Sequence, residues 1–111
     1  MDYSDLLNRR CKPCEPGSPA LDDAQIDSML QHVPGWEFRT DHIEKTYGFK
    51  NYYETMAFVN AIAWMAHRED HHPDLEVGYN KCKVKYSTHS VRGLSENDFI
   101  CAAKVEALLA R

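Results

Sequence analysis

Apolar residues recur at helical spacing in three parts of the chain. The first helix follows two aspartates at 22–23 and ends before the Pro-Gly pair at 34–35. The second begins after Asn51, an N-cap candidate with Glu54 three residues later, and continues to about Glu69. The third opens at residues 95–98 and continues toward the C-terminus. The wide apolar face of the second helix indicates that it packs against a sheet or a partner.

Alternation of apolar and polar residues predicts four short strands, at about residues 36–39, 43–50, 75–79 and 81–89. In the last strand, Cys82, Val84 and Tyr86 alternate with lysines, so one face is core and the other meets water. Lys45 interrupts the inner face of the second strand. The order α-ββ-α-ββ-α predicts an α+β two-layer sandwich, in which a four-stranded antiparallel sheet carries helices on one face.

Residues 1–20 predict a flexible N-terminal arm, followed by one domain over residues 21–111. The arm is polar, rich in Pro and Gly, and shows no long apolar periodicity. It contains Cys11-Lys12-Pro13-Cys14, a spacing found in zinc and redox sites. A zinc site needs about two more ligands, and no second such pair follows. The prolines around the motif disfavour the strand and helix of a thioredoxin-like site, so we expect an irregular arm.

Composition narrows the class of protein further. The chain has 111 residues, 43% hydrophobic and 27% charged, which is typical of one globular domain. Its net charge of −4 disfavours nucleic acid as the main partner. No apolar run approaches the ~20 residues of a membrane span. The first residues do not resemble a secretory signal, so we expect a cytoplasmic protein whose four cysteines are not a disulfide framework.

Four of the histidines are the main candidates for functional residues in this sequence. His67, His71 and His72 lie with Asp70 at the end of the second helix and in the loop after it, and His89 lies near the end of the last strand. These two chain segments could lie close together. Imidazole is suited to proton transfer near neutral pH, and Asp70 could orient one ring. From spacing alone, zinc binding and plain surface histidines stay open as alternatives.

The stretch from His67 to Asp98 resembles the signature of the pterin-4a-carbinolamine dehydratase family. The matching residues are His67, His71-His72-Pro73, Tyr79, His89 and Asp98, and every spacing between them fits. The similarity extends upstream through residues 34–36 and 49–51 and covers about residues 21–111. One difference is His67, which stands where the family often has Glu.

The resemblance implies an enzyme that converts 4a-hydroxytetrahydrobiopterin to quinonoid dihydrobiopterin and water, with no metal or cofactor. This reaction recycles the pterin cofactor of aromatic amino acid hydroxylation. The implied catalytic residues are His71, His72 and His89. The implied substrate-binding residues are Asp70, Ser87, Thr88 and Ser90, together with the three histidines. His67, Pro73 and Asp98 would support them. We expect Asp98 to act mainly as a helix cap, and Tyr79 to pack in the core.

The resemblance also bears on partners. Family members are homodimers or homotetramers, so we expect self-association, a small pterin substrate, and neither nucleic acid nor membrane as a partner. Two other functions stay open for the same fold. One is a dimerisation or regulatory module for a transcription factor, and the other is a pterin-binding protein linked to molybdopterin metabolism. The same histidines would serve either pterin pathway.

Overall fold

The computed structural model describes residues 2–109, which contain one four-stranded antiparallel sheet in the order β1-β2-β4-β3. The strands are β1 (Glu37–Arg39), β2 (His42–Gly48), β3 (Asp74–Val77) and β4 (Lys81–Tyr86). The two central strands pair from Ile43 opposite Tyr86 to Gly48 opposite Lys81. The predicted α+β architecture and antiparallel sheet are therefore confirmed.

In the part of the chain that the structure describes, four α-helices accompany the sheet: α1 (Tyr3–Asn8), α2 (Asp23–Leu30), α3 (Tyr52–Glu69) and α4 (Glu96–Leu109). The last three were predicted from apolar spacing. Asn51 caps α3 by accepting a 2.9 Å hydrogen bond from the Glu54 amide. The Glu54 carboxylate accepts from the Lys50 amide, so the reciprocal bond lies one residue earlier than predicted. Over residues 2–109, no helix is long and apolar enough to cross a membrane.

The hydrophobic core lies between one face of the sheet and the helices. Ile43, Val84 and Tyr86 on the sheet are fully buried, and Ile62 of α3 and Phe99 of α4 cover them. The opposite face carries the lysines of β4, among which Lys83 lies 3.7 Å from Glu44. This burial pattern follows the alternation in the sequence.

Lys45, which interrupts the inner face of β2, reaches the edge of the core. Its ammonium donates a 2.8 Å hydrogen bond to the carboxylate of Glu106 on α4. The same carboxylate accepts from the Tyr47 hydroxyl. A charged residue on an inner strand face is therefore accommodated by a partner on the facing helix.

The prediction of an irregular segment over residues 1–20 is wrong for residues 3–8, which form α1 and pack on α4. Leu6 is fully buried, and the Tyr3 hydroxyl donates to the Ala103 carbonyl at 3.2 Å. Asp2 caps this helix by accepting from the Asp5 amide. A helix of six residues with one buried leucine is too short to show apolar periodicity.

Two further predictions need correction. The last strand ends at Tyr86 rather than near His89, and residues His89–Val91 form one turn of 3₁₀ helix. The chain reverses here because Arg92 adopts a left-handed conformation with φ of 55°, which lets Thr88 pair with Gly93. Tyr79 is 66% exposed and is not a core residue.

Candidate active site

A pocket of about 370 Å³ lies where α3 ends and β4 gives way to the 3₁₀ turn. This volume is in the range of small-molecule sites. Its lining includes every residue that the sequence predicted to bind substrate: Asp70, His71, His72, Ser87, Thr88, His89 and Ser90. The folded chain therefore brings the two predicted histidine segments together.

His71 is the most firmly held of the pocket histidines. Asp70 ends α3 in a left-handed conformation with φ of 52°, and the His71 amide donates back to the Ala66 carbonyl at 3.2 Å. The His71 ring stacks on the buried Tyr86 ring, with centroids 5.6 Å apart and planes 18° from parallel. Its Nε2 lies 2.6 Å from Oδ1 of Asp98. When Nε2 carries the proton of this bond, Nδ1 is the free base of the neutral ring.

Asp98 is completely buried and bonded on both carboxylate oxygens. Oδ2 accepts from the Thr88 hydroxyl at 2.8 Å and from the Ser95 amide at 3.0 Å, while Oδ1 faces His71. The predicted capping role is present, since Ser95 directly precedes α4. The expectation that Asp70 orients a histidine is wrong, because Asp70 is exposed and Asp98 holds the ring. The sequence alone did not show this second role.

His72 and His89 lie at the exposed rim of the pocket. Nδ1 of His72 lies 3.1 Å from the Pro73 carbonyl, so this nitrogen can act as the donor and Nε2 as the free acceptor. His89 begins the 3₁₀ turn directly after Thr88. Because Thr88 is bonded to Asp98, the segment that carries His89 is tied to the partner of His71. The pocket thus combines one enclosed histidine with two solvent-accessible ones.

His67 does not reach the pocket. It is exposed on α3, and its ring lies 5.7 Å from that of Trp64. Pro73 does not line the pocket either, but its carbonyl contacts His72. Within the part of the chain from 2 to 109, no three His, Cys, Asp or Glu side chains converge in a way that could hold a metal ion.

The N-terminal arm supplies a wall of the pocket that sequence reasoning missed. Residues 11–14 line the cavity. The Lys12 amide donates to Oδ1 of Asn97 at 3.0 Å, and Nδ2 of Asn97 donates to the Lys12 carbonyl at 2.6 Å. The Cys11 amide donates to the Glu69 carboxylate at 2.9 Å. Asn97 directly precedes Asp98, and Glu69 lies two residues before His71. The arm is therefore bonded to the chain next to the His71–Asp98 pair.

Comparison with known proteins gives a consistent picture. The sequence pattern of the family described as pterin 4 alpha carbinolamine dehydratase matches residues 19–108. A protein of Nitrosomonas eutropha named "putative pterin-4-alpha-carbinolamine dehydratase" is 58% identical over 106 residues, which are 95% of this chain and 94% of the relative. A protein of Nitrosospira multiformis with the same name is 57% identical over 94% of this chain and 92% of its own. Since about 95% of the chain aligns, most of the arm is shared with these relatives.

Solved structures agree with the fold. A transcriptional coactivator/pterin dehydratase from Brucella melitensis superposes with a TM-score of 0.77 at 28% identity, covering 80% of this chain and 97% of the other. A pterin dehydratase-like protein described as a RuBisCO assembly factor in the alpha-carboxysome shares the fold, with a TM-score of 0.57 at 22% identity over 68% of this chain and 87% of its own. The sequence pattern, the relatives and the histidine pocket together show that the chain belongs to the pterin-4a-carbinolamine dehydratase family.

Proposed function

We propose that this protein dehydrates 4a-hydroxytetrahydrobiopterin to quinonoid dihydrobiopterin by histidine acid–base catalysis. The observation that carries the proposal is the convergence of His71, His72 and His89 on one pocket, with His71 bonded to the buried Asp98. The reaction needs a proton for the departing 4a-hydroxyl group and a base for the N5 proton. Two imidazoles in different environments can supply both functions.

His71 is the base in this proposal. A ring that accepts the N5 proton becomes positively charged, and the Asp98 carboxylate 2.6 Å away stabilises that charge. Stacking on Tyr86 fixes the ring plane, so its free nitrogen is held in one direction. A positioned base loses little freedom when the substrate binds.

His89 is the acid, and His72 positions the pterin. His89 lies at the exposed rim, where it can exchange protons with water between turnovers. The partly buried Ser87 and Ser90 flank it on the pocket wall and offer hydroxyl and backbone groups to the polar edge of a pterin ring. Water leaves as the hydroxyl takes the proton, and the C=N bond forms as N5 loses its own.

The test is the decay of enzymatically generated 4a-hydroxytetrahydrobiopterin, followed by ultraviolet absorbance with and without the protein. We expect clear acceleration over the spontaneous reaction. His71→Ala and His89→Ala should each lower the catalysed rate by about 10²-fold or more. Circular dichroism shows whether each variant is folded.

His67→Ala is the matched control, because His67 belongs to the same segment but lies outside the pocket. Its rate should stay within about twofold of the wild type, as expected of an exposed residue away from the chemistry. Full activity in both His71→Ala and His89→Ala would refute the assignment. A folded wild-type protein that gives no acceleration would refute the proposed reaction itself.

Self-association of this chain is a separate proposal. Helix α3 exposes Tyr53 and Trp64, at 81% and 64%, on the side turned away from the core. Large exposed aromatic side chains on one helix are typical of an interface between subunits. Sedimentation of the wild type and of Trp64→Glu tests this, since a dimer or tetramer built on this face should dissociate in the variant. Unchanged mass in the variant would place the interface elsewhere.

A further inference from the structure

Two thiols meet behind the wall of the pocket. Sγ of Cys11 lies 3.5 Å from Sγ of Cys101, although the residues are 90 positions apart in the sequence. Cys11 is half-buried and lines the pocket, while Cys101 is fully buried on α4. Both are free cysteines. The mechanism proposed above uses neither thiol.

The contact is held by the backbone around Cys11. The Cys11 amide is bonded to Glu69, whose side chain is only 6% exposed and also pairs with Arg10 at 3.0 Å. On the other side, Asn97 bonds both the amide and the carbonyl of Lys12. Because the arm is fixed on both sides of Cys11, the two sulfurs are kept adjacent.

We propose that Cys11 and Cys101 are a disulfide-forming pair that a hydroperoxide oxidises, and that the disulfide fastens the arm wall of the pocket to α4. This modification site does not depend on the reaction proposed for the histidines. It would convert a wall held by hydrogen bonds into one held by a covalent bond.

The chemistry balances in two steps. The Cys11 thiol reacts with hydrogen peroxide to give a sulfenic acid and one water. The Cys101 sulfur then attacks the Cys11 sulfur, an S–S bond forms, and the hydroxyl leaves with the Cys101 proton as a second water. Two thiols are oxidised by two electrons in total, and one peroxide is reduced to two waters.

Oxidation begins at Cys11 because peroxide can reach its sulfur from the pocket and cannot reach that of Cys101. Cys101 has no exposed surface, and its hydrogen bond with Cys11 together with burial raises the pKa of its thiol well above the ordinary value. A buried thiol that stays protonated is inert toward peroxide in solution. Cys101 acts as the resolving thiol once Cys11 is oxidised, because its sulfur is held 3.5 Å away and its proton leaves with the hydroxyl as the S–S bond forms.

The spacing Cys11-Lys12-Pro13-Cys14 suggests a different pair, but the side chains point to different partners. Sγ of Cys14 lies 3.9 Å from the Lys12 carbonyl and 3.6 Å from Nδ2 of Asn97. Sγ of Cys11 faces Cys101 and the Asn97 carbonyl, the latter at 3.7 Å. The fold thus pairs Cys11 with the distant cysteine rather than the near one.

The first experiment treats the folded protein with hydrogen peroxide, blocks remaining thiols by alkylation, and maps the non-reduced tryptic peptides by mass spectrometry. We expect a peptide pair joined through Cys11 and Cys101 in the wild type and in Cys14→Ser. The pair should be absent from Cys11→Ser. A disulfide between Cys11 and Cys14, or oxidised Cys11 beside alkylated Cys101, would overturn the proposal.

The second experiment measures the thermal midpoint of the oxidised and reduced proteins. A disulfide that closes so long a loop, between sulfurs that the fold already holds adjacent, should raise Tm by about 5 °C or more. Cys11→Ser and Cys101→Ala should show no such rise after peroxide treatment. A Tm that falls when the Cys11–Cys101 bond forms would mean that the native fold does not hold the two sulfurs in place, and would also overturn the proposal.

Discussion

Asp98 connects the stability of the molecule with its proposed chemistry through one buried carboxylate. It receives hydrogen bonds from the Thr88 hydroxyl and the Ser95 amide, and it faces the ring of His71. The first two bonds close the N-terminus of α4 and hold the turn that carries His89. The third sets which nitrogen of His71 bears a proton. A substitution of Asp98 should therefore lower both the free energy of unfolding and the reaction rate, by different amounts.

We expect Asp98→Asn to lower the dehydration rate by at least about 100-fold. The amide oxygen can still accept from Ser95 and Thr88, but the amide nitrogen then faces His71 as a donor and favours the wrong tautomer. The free energy of unfolding should fall by about 1–3 kcal/mol. Single-turnover rates and urea denaturation measure the two effects separately.

Ser95→Ala is the matched control for this experiment. It removes the hydroxyl that contacts Thr88 and the Asn97 amide, and it leaves the bond between Asp98 and His71 in place. We expect a loss of about 1 kcal/mol in stability, typical of a lost helix cap, with a rate within a few-fold of the wild type. Equal losses of rate in both variants would show that Asp98 acts only through the fold.

The sequence predicted the site histidines but did not identify Asp98 as the residue that holds His71. Spacing and resemblance placed His71, His72 and His89 in one site, because each follows closely on a helix or strand that periodicity can locate. The partner of His71 could not be chosen in this way, since Asp70 is its sequence neighbour and Asp98 is 27 positions away. Asp70 ends α3 in a left-handed conformation and is exposed, which its position in the sequence does not show.

At the scale of the elements, α1 is the main difference from the predicted irregular N-terminal arm. Its single buried residue, Leu6, packs against α4 with no exposed surface, while Leu7 is only partly buried. We expect Leu6→Ala to cost about 2–4 kcal/mol of unfolding free energy and Leu7→Ala about 1 kcal/mol or less. Urea denaturation of the two variants tests this, and equal small losses would show that α1 contributes little to stability.

The segment after α1 should affect substrate binding more than chemistry. Asn97 bonds both the amide and the carbonyl of Lys12 in the arm, and its hydrogen bonds do not involve the histidines proposed to be catalytic. Asn97→Ala should therefore loosen the wall, raise KM several-fold and change kcat by less than about twofold. The full kinetic profile with the pterin substrate separates the two constants. A fall in kcat with unchanged KM would instead mean that Asn97 acts on the neighbouring Asp98.

Periodicity located α2, α3, α4 and the four strands, but it located neither α1 nor the 3₁₀ turn. Helices α2, α3 and α4 show apolar spacing over two or more turns, and β2 and β4 alternate, with Lys45 as the one interruption in β2. The six residues of α1 and the three of the 3₁₀ turn give no such signal. Strand β4 was predicted too long because Ser87 and Thr88 continue its pattern. Tertiary bonds from Thr88 to Ser95 and Asp98 end it instead.

At the scale of the whole molecule, the layer between sheet and helices contains ionisable groups as well as apolar ones. Tyr47 and Tyr86 are at most 6% exposed, and both point from the sheet toward the helices. Burial, together with the hydrogen bond to Glu106, raises the pKa of Tyr47 far above its ordinary value. Burial raises the pKa of Tyr86 in the same way, with a smaller contribution from Cys101.

These shifts predict the alkaline limit of the fold. In the unfolded chain a tyrosine loses its proton near pH 10, whereas in the folded chain Tyr47 and Tyr86 keep theirs. Above about pH 10 the unfolded state therefore binds fewer protons, and stability falls as pH rises. Each buried tyrosine should contribute a slope of about −0.7 kcal/mol per pH unit at pH 10, which approaches about −1.4 kcal/mol per pH unit above pH 11.

Tyr47→Phe tests this expectation, because it removes one of the two phenols and keeps the ring that packs against Phe58 at 4.9 Å. The free energy of unfolding, measured in urea between about pH 10 and 11, should fall less steeply in the variant by about 1 kcal/mol per pH unit. The unfolded-state titration of cysteines, lysines and Tyr86 is common to both proteins and cancels in the difference. Equal slopes would mean that Tyr47 ionises in the folded protein, so that its contact with Glu106 opens to water before the chain unfolds.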